Sequence, residues 1–93
     1  MDLIEKYLGE SEALFWNTLM NRISKEFKGY QMMMRSRKDG TTAVLPVNSF
    51  HPLPKELISK VKSIIKSPSS QSEISDKAII LTTNEWKEYF KEI

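Results

Sequence analysis

The sequence predicts an α+β fold in one small domain over residues 1–93, with the element order α-β-β-α-β-α. Two observations predict this class. Apolar residues recur at helical spacing in separate segments, and an Asp-Gly pair divides two strand-like runs, which is the strongest short-range hairpin signal. A further apolar run follows the second helical segment. We therefore expect a small, mostly antiparallel three-stranded sheet with the helices packed mainly on one face.

The first predicted helix covers residues 2–28 and breaks early. Asp2 is a suitable N-cap with Glu5 three residues later, and Gly9-Glu10-Ser11 interrupts the helix. Gly29 ends it, because glycine readily takes the left-handed conformation after a helix. Between the break and the end, an apolar stripe recurs at i, i+3, i+4, i+7 and i+11: Trp16, Leu19, Met20, Ile23 and Phe27.

Residues 30–47 predict a β-hairpin that turns at Asp39-Gly40. A two-residue loop there would place Arg35 opposite Val44. The strand Thr41–Val47 is expected at an edge of the sheet, because Pro46 has no N–H to donate. The face expected to pack on the helices carries Tyr30, Met32, Met34, Ala43, Leu45 and Val47. The face expected to be exposed carries Gln31, Met33, Arg35, Arg37, Thr42, Val44 and Pro46.

The second half of the chain predicts a helix, a strand and a closing helix. Pro54 favours a helix start, so Lys55–Lys66 is expected to be helical, and residues 67–75 are typical of a mobile polar linker. Lys77–Thr82 is an apolar run that we expect to form the buried central strand. Thr82-Thr83-Asn84-Glu85 matches a capping box, and the helix that follows has its own apolar stripe: Trp86, Tyr89, Phe90 and Ile93.

The composition argues against an enzyme and against metal or cofactor sites. The chain has no cysteine and one histidine, His51, which has no acidic neighbour in sequence to position it as a base. The three glycines are isolated, so there is no glycine loop for phosphate. We expect no catalytic residue, no metal and no cofactor. Because neither a signal-peptide pattern nor a membrane-length apolar run is found, we also expect an intracellular, cytoplasmic protein without a membrane contact.

The exposed face of the hairpin is the best candidate site for a protein partner. Methionine adapts to irregular surfaces, and arginine and methionine are enriched in protein interfaces. We therefore expect a small non-enzymatic binding or regulatory protein that contacts a larger protein. The strand Thr41–Val47 also offers an edge for pairing with a second copy, which would give a homodimer. The residues expected to bind a protein partner are Gln31, Met33, Arg35, Arg37 and Val44.

RNA or DNA binding is the alternative function. The net charge of the chain is only +2, but residues 29–66 hold seven bases against two acids. A cationic hairpin tip beside a lysine-faced helix would contact phosphates without reading sequence. The same charges are also typical of a solubilising surface, since charged residues protect a hairpin edge from aggregation. The residues for this alternative are Arg35, Arg37, Lys38, Lys55, Lys62 and Lys66.

Three segments together resemble the small Alu-domain subunits of the signal recognition particle. They are residues 28–40, with a glycine before a basic strand and an Asp-Gly pair, the segment Lys77–Thr83, and the aromatic run Trp86–Phe90. The resemblance implies an α-β-β-β-α fold that binds RNA on its sheet. This chain departs from that pattern, because Pro54–Lys66 is predicted as a helix where the family has strand and loop. We therefore assign no family, and the resemblance favours only the RNA alternative.

Overall fold

The computed structural model of the chain describes residues 10–48 and 50–92. The predicted N-cap Asp2, Gly9 of the predicted helix break and the last residue, Ile93, lie outside these ranges. The described residues form three helices and four strands, so the predicted α+β class is confirmed. The predicted element order is also confirmed, with one short strand added. In chain order, the elements are α1 (Glu10–Glu26), β1 (Met32–Ser36), β2 (Thr41–Pro46), α2 (Lys55–Ile64), β3 (Glu73–Ile74), β4 (Ile79–Thr82) and α3 (Thr83–Glu92).

The four strands form one antiparallel sheet in the order β1-β2-β4-β3. The central position of the predicted strand Lys77–Thr82 is confirmed by β4. The edge position predicted for Thr41–Val47 is wrong, because β2 pairs with β1 on one side and with β4 on the other. Pro46 fits there because β4 pairs only with Thr41–Val44, so the missing N–H of Pro46 faces no strand. The predicted homodimer through Thr41–Val47 is therefore wrong, because β2 has a paired strand on each side.

The hairpin turns through three residues, Lys38-Asp39-Gly40, and not through two. The N–H of Arg37 donates to the carbonyl of Thr41 over 2.9 Å, and Gly40 adopts a φ of 86°. A two-residue type I′ turn would need positive φ at Asp39 as well, and the only residues described with positive φ are glycines. The Asp39 carboxylate instead accepts the N–H of Thr41 over 3.1 Å, which stabilises the longer loop.

The longer loop shifts the hairpin register by one residue, so each side chain of β2 lies on the face of the sheet opposite to the predicted one. Met34 now pairs with Val44 and Arg35 with Ala43, so the predicted pairing of Arg35 with Val44 is wrong. Because side chains alternate along a strand, a one-residue shift exchanges the two faces of β2. Val44 lies in the core with 0% of its surface exposed, whereas Leu45 lies on the opposite face. The faces of β1 stay as predicted, with Met32 and Met34 packed against the core.

One hydrophobic core lies between the three helices and one face of the sheet. Trp86 anchors it from α3, since its indole N–H donates to the buried carbonyl of Thr42 over 2.8 Å and ties the helix to β2. The helix α2 begins after Pro54 as predicted and directs Leu57 and Val61 inward. The buried core residues are Trp16, Leu19, Ile23, Phe27, Val44, Leu53, Leu57, Val61, Ile65, Ile79, Leu81, Trp86 and Tyr89.

The predicted capping box at the start of α3 is confirmed and also holds the segment before β3. The N–H of Thr82 donates to Glu85 over 2.9 Å, and the N–H of Glu85 donates to the Thr82 hydroxyl over 3.2 Å. The same carboxylate accepts the hydroxyl of Ser72 and, over 3.1 Å, the N–H of Ser69. The segment 67–75, predicted as a linker, therefore contains β3 and is hydrogen-bonded to α3.

Replacing Glu85 with glutamine is expected to lower the free energy of unfolding near pH 7 by about 1–2 kcal/mol, because one charged acceptor serves several donors. Burial raises the pKa of Glu85, but hydrogen bonds from Ser72, Thr82 and Ser69 outweigh it, so that the pKa is lowered from 4.5. A lowered pKa stabilises the fold above pH 4.5, and this stabilisation is lost as the pH falls through the folded pKa.

Urea unfolding at neutral and at acidic pH tests this prediction. The difference between wild type and Glu85→Gln should shrink at acidic pH. The matched control is Glu88→Gln, since Glu88 is an exposed carboxylate of the same helix. An equal loss in both variants would contradict the capping role.

Tyr89 is expected to destabilise the protein at alkaline pH. Its side chain is 0% exposed, and burial, with a further contribution from the Glu26 carboxylate, raises the pKa of its hydroxyl to about 12. The unfolded chain ionises first as the pH passes 10, so stability falls between pH 10 and about 12. Tyr89→Phe should remove this loss, which is about 1 kcal/mol one pH unit above the unfolded pKa. Urea unfolding of both proteins at mildly and strongly alkaline pH measures it, and parallel pH profiles would contradict the prediction.

Candidate functional site

The face of the sheet opposite the core is the candidate site, and we call it the open face. One row of paired residues crosses all four strands on it: Arg35 pairs with Ala43, Ala43 with Ile80, and Ile80 with Glu73. Because residues two apart in a strand share a face, Met33 and Arg37 lie beside Arg35, and Leu45 lies beside Ala43. The open face therefore carries Met33, Arg35, Arg37, Ala43, Leu45, Glu73 and Ile80, together with the paired residues Thr41 and Thr82.

The described helices pack on the other face of the sheet. The sheet residues that meet them are Val44, Ile79 and Leu81, with Met34 and Ile74 at the margin. The open-face residues do not belong to this core cluster. Met33, Leu45 and Ile80 are half-buried by their strand neighbours, and Ala43 is 6% exposed. The centre of the open face is thus apolar, and helices α1 to α3 leave it uncovered.

Charged side chains border this apolar centre on two sides. Arg35 lies exposed on β1, Arg37 lies exposed directly after it, and Glu73 lies exposed on β3 at the opposite edge. The ion pair found among residues 10–48 and 50–92 joins Lys60 to Glu26 over 2.7 Å in the helical layer, so neither arginine has a carboxylate partner within 4.0 Å there. An apolar centre with exposed arginines at its margin is suited to bind a surface that supplies apolar side chains and carboxylates.

Asp39 supplies one negative charge at the turn. Hydrogen bonds from the hydroxyl and the N–H of Thr41, together with the nearby charge of Arg37, hold the pKa of this carboxylate below its usual range. Asp39 therefore stays ionised in mildly acidic solution, with its oxygens engaged by the turn. Arg35 and Arg37 remain the positive charges of the open face that are available to a partner.

Four of the five residues predicted to bind a protein keep an accessible position. Gln31 is exposed and accepts the N–H of Val47 over 2.9 Å at the base of the hairpin, while Met33, Arg35 and Arg37 belong to the open face. Val44 is the exception, because the register places it in the core. Its place at the surface is taken by Leu45, which the sequence pattern assigned to the buried face.

The six basic residues of the alternative site do not meet in one patch. Arg35, Arg37 and Lys38 lie at the hairpin end of the sheet, with both arginines on the open face. Lys55 and Lys62 are exposed on α2, which packs against the opposite face. Lys66 follows α2 and shares a surface cavity of about 360 Å³ with the carboxylates of α3. The basic middle of the sequence thus divides into separate surfaces.

Two clefts at the base of the hairpin were not anticipated from the sequence. They hold about 500 and about 550 Å³, and Pro46, His51 and Pro52 contribute to both. Tyr30 lines the first cleft, and Phe50, with 89% of its surface exposed, lines the second. Neither pattern nor propensity marks Phe50 as exposed, because an isolated aromatic residue in a proline-containing loop is equally compatible with burial.

Within the described ranges, no group of three or more histidine, aspartate or glutamate side chains is placed to hold a metal ion. None of the helices described is both long enough and apolar enough to cross a membrane. A comparison with protein-family models finds no match to this chain, and comparisons with curated proteins and with solved structures also find none. The resemblance to the Alu-domain subunits therefore remains a likeness of three segments, and the site must be interpreted from its own chemistry.

Proposed function

We propose that this chain is a small non-enzymatic binding or regulatory protein that contacts a larger protein through the open face. The observation that supports this function is the row from Arg35 through Ala43 and Ile80 to Glu73, which has an apolar centre and charged ends and is left uncovered by the described helices. An apolar sheet face that the described part of the chain leaves uncovered is typical of a contact surface.

The partner's chemistry follows from the open face. Apolar side chains of the partner would pack on Met33, Leu45 and Ile80, and its carboxylates would pair with Arg35 and Arg37. Arginines at the margin of an interface raise the association rate and exclude cationic partners, while the apolar centre provides most of the affinity. A cysteine-free chain suits the reducing cytoplasm, which is the compartment we propose for this contact.

Capture of partner proteins with immobilised wild type and matched variants tests the proposal. A protein that binds through the open face should be lost with Met33→Asp and with Leu45→Asp, with an affinity reduced by about 30-fold or more, as expected for a central interface residue. Lys62→Asp is the control, since Lys62 is an exposed residue of the helical layer. Captured proteins that respond equally to all three variants would contradict the proposal.

RNA or DNA binding is the second candidate. It is favoured by Arg35 and Arg37 on the open face, which have no carboxylate partner within the described part of the chain. Fluorescence anisotropy of labelled single-stranded RNA and duplex DNA, at low and near-physiological salt, measures it. If the open face contacts a protein, binding to these probes should disappear at the higher salt and should not depend on Arg35→Ala/Arg37→Ala. Micromolar binding that persists with salt and is lost in the double variant would give priority to nucleic acid.

A further inference from the structure

The outer edge of β1 has the features of a strand-docking site. The sheet order places β1 at one end, beside β2 alone. The other end is β3, whose two residues, Glu73 and Ile74, offer little to pair with. β1 is five residues long and contains no proline. Five residues of extended backbone are enough to pair with a peptide strand.

The hairpin register identifies which backbone groups of β1 face outward. The bonds from the N–H of Arg37 to Thr41 and from the N–H of Val47 to Gln31 mark two hydrogen-bonded pairs of the β1–β2 ladder. Because such pairs alternate with non-hydrogen-bonded ones, the N–H and C=O groups of Met33 and Arg35 point toward β2. The N–H and C=O groups of Met32, Met34 and Ser36 therefore point away from the sheet, and no described strand pairs with them.

The side chains of β1 indicate which kind of strand would dock there. Arg35 and Arg37 lie two residues apart on the open face and have no described carboxylate partner. In an antiparallel added strand, the residue opposite Arg35 would form a non-hydrogen-bonded pair, in which Cα atoms are about 4.5 Å apart. A carboxylate at that position would meet the guanidinium directly, and a residue two positions along would meet Arg37 or Met33.

A second copy of the chain is a poorer occupant of this edge. A symmetric antiparallel pairing that uses all five residues of β1 is centred on Met34 and places Arg35 opposite Met33 of the second copy. The two Arg35 side chains would then be diagonal neighbours about 7–8 Å apart on one face. Like charges at this separation disfavour self-pairing at low salt, whereas alternating acidic residues in a partner would relieve the same repulsion.

We infer that the partner of the open face inserts an extended acidic segment beside β1, which pairs with the outward backbone groups of Met32, Met34 and Ser36 and directs carboxylates toward Arg35 and Arg37. This inference rests on the proposed function and specifies how the partner binds. The added strand would extend the sheet, and with it the open face, by one strand. Backbone pairing at the edge of β1 and packing on Met33 would then form one continuous contact. Backbone pairing supplies affinity, and the alternate side chains supply specificity.

A synthetic peptide tests the inference on the intact protein. The probe is a capped seven-residue peptide in which glutamate alternates with valine, and the matched control peptide carries lysine in place of glutamate. Binding is followed by NMR titration and by hydrogen exchange of individual amides. In the free protein, the amides of Met33 and Arg35 should be protected, whereas those of Met32, Met34 and Ser36 should exchange rapidly.

The acidic peptide is expected to slow the exchange of those three outward amides at least tenfold, and the lysine peptide is expected to leave them unchanged. Ser36→Pro removes one outward N–H at an exposed position and should weaken binding at least tenfold without altering the unfolding midpoint. The wild-type exchange data decide the question if that variant does not fold.

Three results would overturn the inference. Shifts of Met33, Leu45 and Ile80 without protection of the outward amides would exclude strand addition and leave the open-face contact standing. An absence of any response at millimolar peptide, together with capture of proteins that are insensitive to the open-face variants, would remove both the inference and the proposed function. Protection that appears without peptide and grows with protein concentration would identify a second copy as the occupant.

Discussion

Replacing Val44 with aspartate is expected to unfold the protein, whereas Leu45→Asp should leave it folded. Val44 is 0% exposed among core residues of three helices, so the variant loses the burial of an aliphatic side chain and places a carboxylate in an apolar site. These two terms together cost about 5 kcal/mol or more, which is close to the whole stability of a domain of this size. Leu45 lies on the open face, where an aspartate remains hydrated, so a loss of about 1 kcal/mol is expected.

Urea unfolding and one-dimensional NMR of the two variants measure this difference. Because the residues are neighbours in one strand, the pair reports the hairpin register directly. Two equally stable variants, or an unfolded Leu45→Asp protein, would contradict the register in which Arg35 pairs with Ala43.

Replacing Trp86 with alanine is expected to lower the free energy of unfolding by about 4 kcal/mol. The indole is 0% exposed, forms an edge-to-face contact with Tyr89 and donates its N–H to Thr42 over 2.8 Å. Its removal leaves a cavity and also leaves the carbonyl of Thr42 buried without a donor, which adds a further penalty of about 1 kcal/mol.

Trp86→Phe separates the two contributions. Phenylalanine retains most of the ring volume but cannot donate to Thr42, so this variant should lose about 1–3 kcal/mol, less than the alanine variant. Chemical unfolding followed by far-ultraviolet circular dichroism gives both values. A loss under about 1 kcal/mol for Trp86→Ala would contradict the anchoring role of this residue, since buried large-to-small substitutions cost more.

Most elements of this fold, β3 excepted, were predictable because each of them has a local signal. The stripe from Trp16 to Phe27 has helical period, Pro54 begins α2, and the capping box at Thr82 begins α3. These signals act within one or two turns of the chain, so the residues that form the element also define it. The hairpin was identified for the same reason, since Asp39-Gly40 is a turn in either register.

The arrangement of the strands was less predictable because it depends on the length of one turn and on pairing between distant segments. The choice between a two-residue and a three-residue turn is decided by the bond from Thr41 to Asp39 and the positive φ of Gly40, and it exchanges Val44 and Leu45 between core and surface. The short strand β3 lies in a polar segment without a strand signal of its own, and it forms by pairing with Ile79 and Ile80 of β4. Because β4 inserts between β2 and β3, Thr41–Val47 becomes internal and β1 becomes the edge.

The predicted site lies on the hairpin that carries the open face, and the structure places one of its residues, Val44, in the core. Met33 and Arg35 lie on β1, and Arg37 follows it directly. The inward methionines Met32 and Met34 establish the faces of this strand independently of the turn. The site residues on β2 and β4 could not be identified before the register and the strand order were known. Ala43 and Ile80 belong to the site only because they pair in one row between Arg35 and Glu73.

Site-specific photo-crosslinking in cells tests the central claim most directly. A benzophenone amino acid is placed at Leu45 on the open face, and a control protein carries it at Lys62 on α2. An open-face protein contact predicts a discrete crosslinked species at Leu45 that survives nuclease treatment, is absent at Lys62 and is lost when Arg35→Glu is added. A species that nuclease removes, or equal crosslinking at both positions, would contradict the claim that the open face binds a protein.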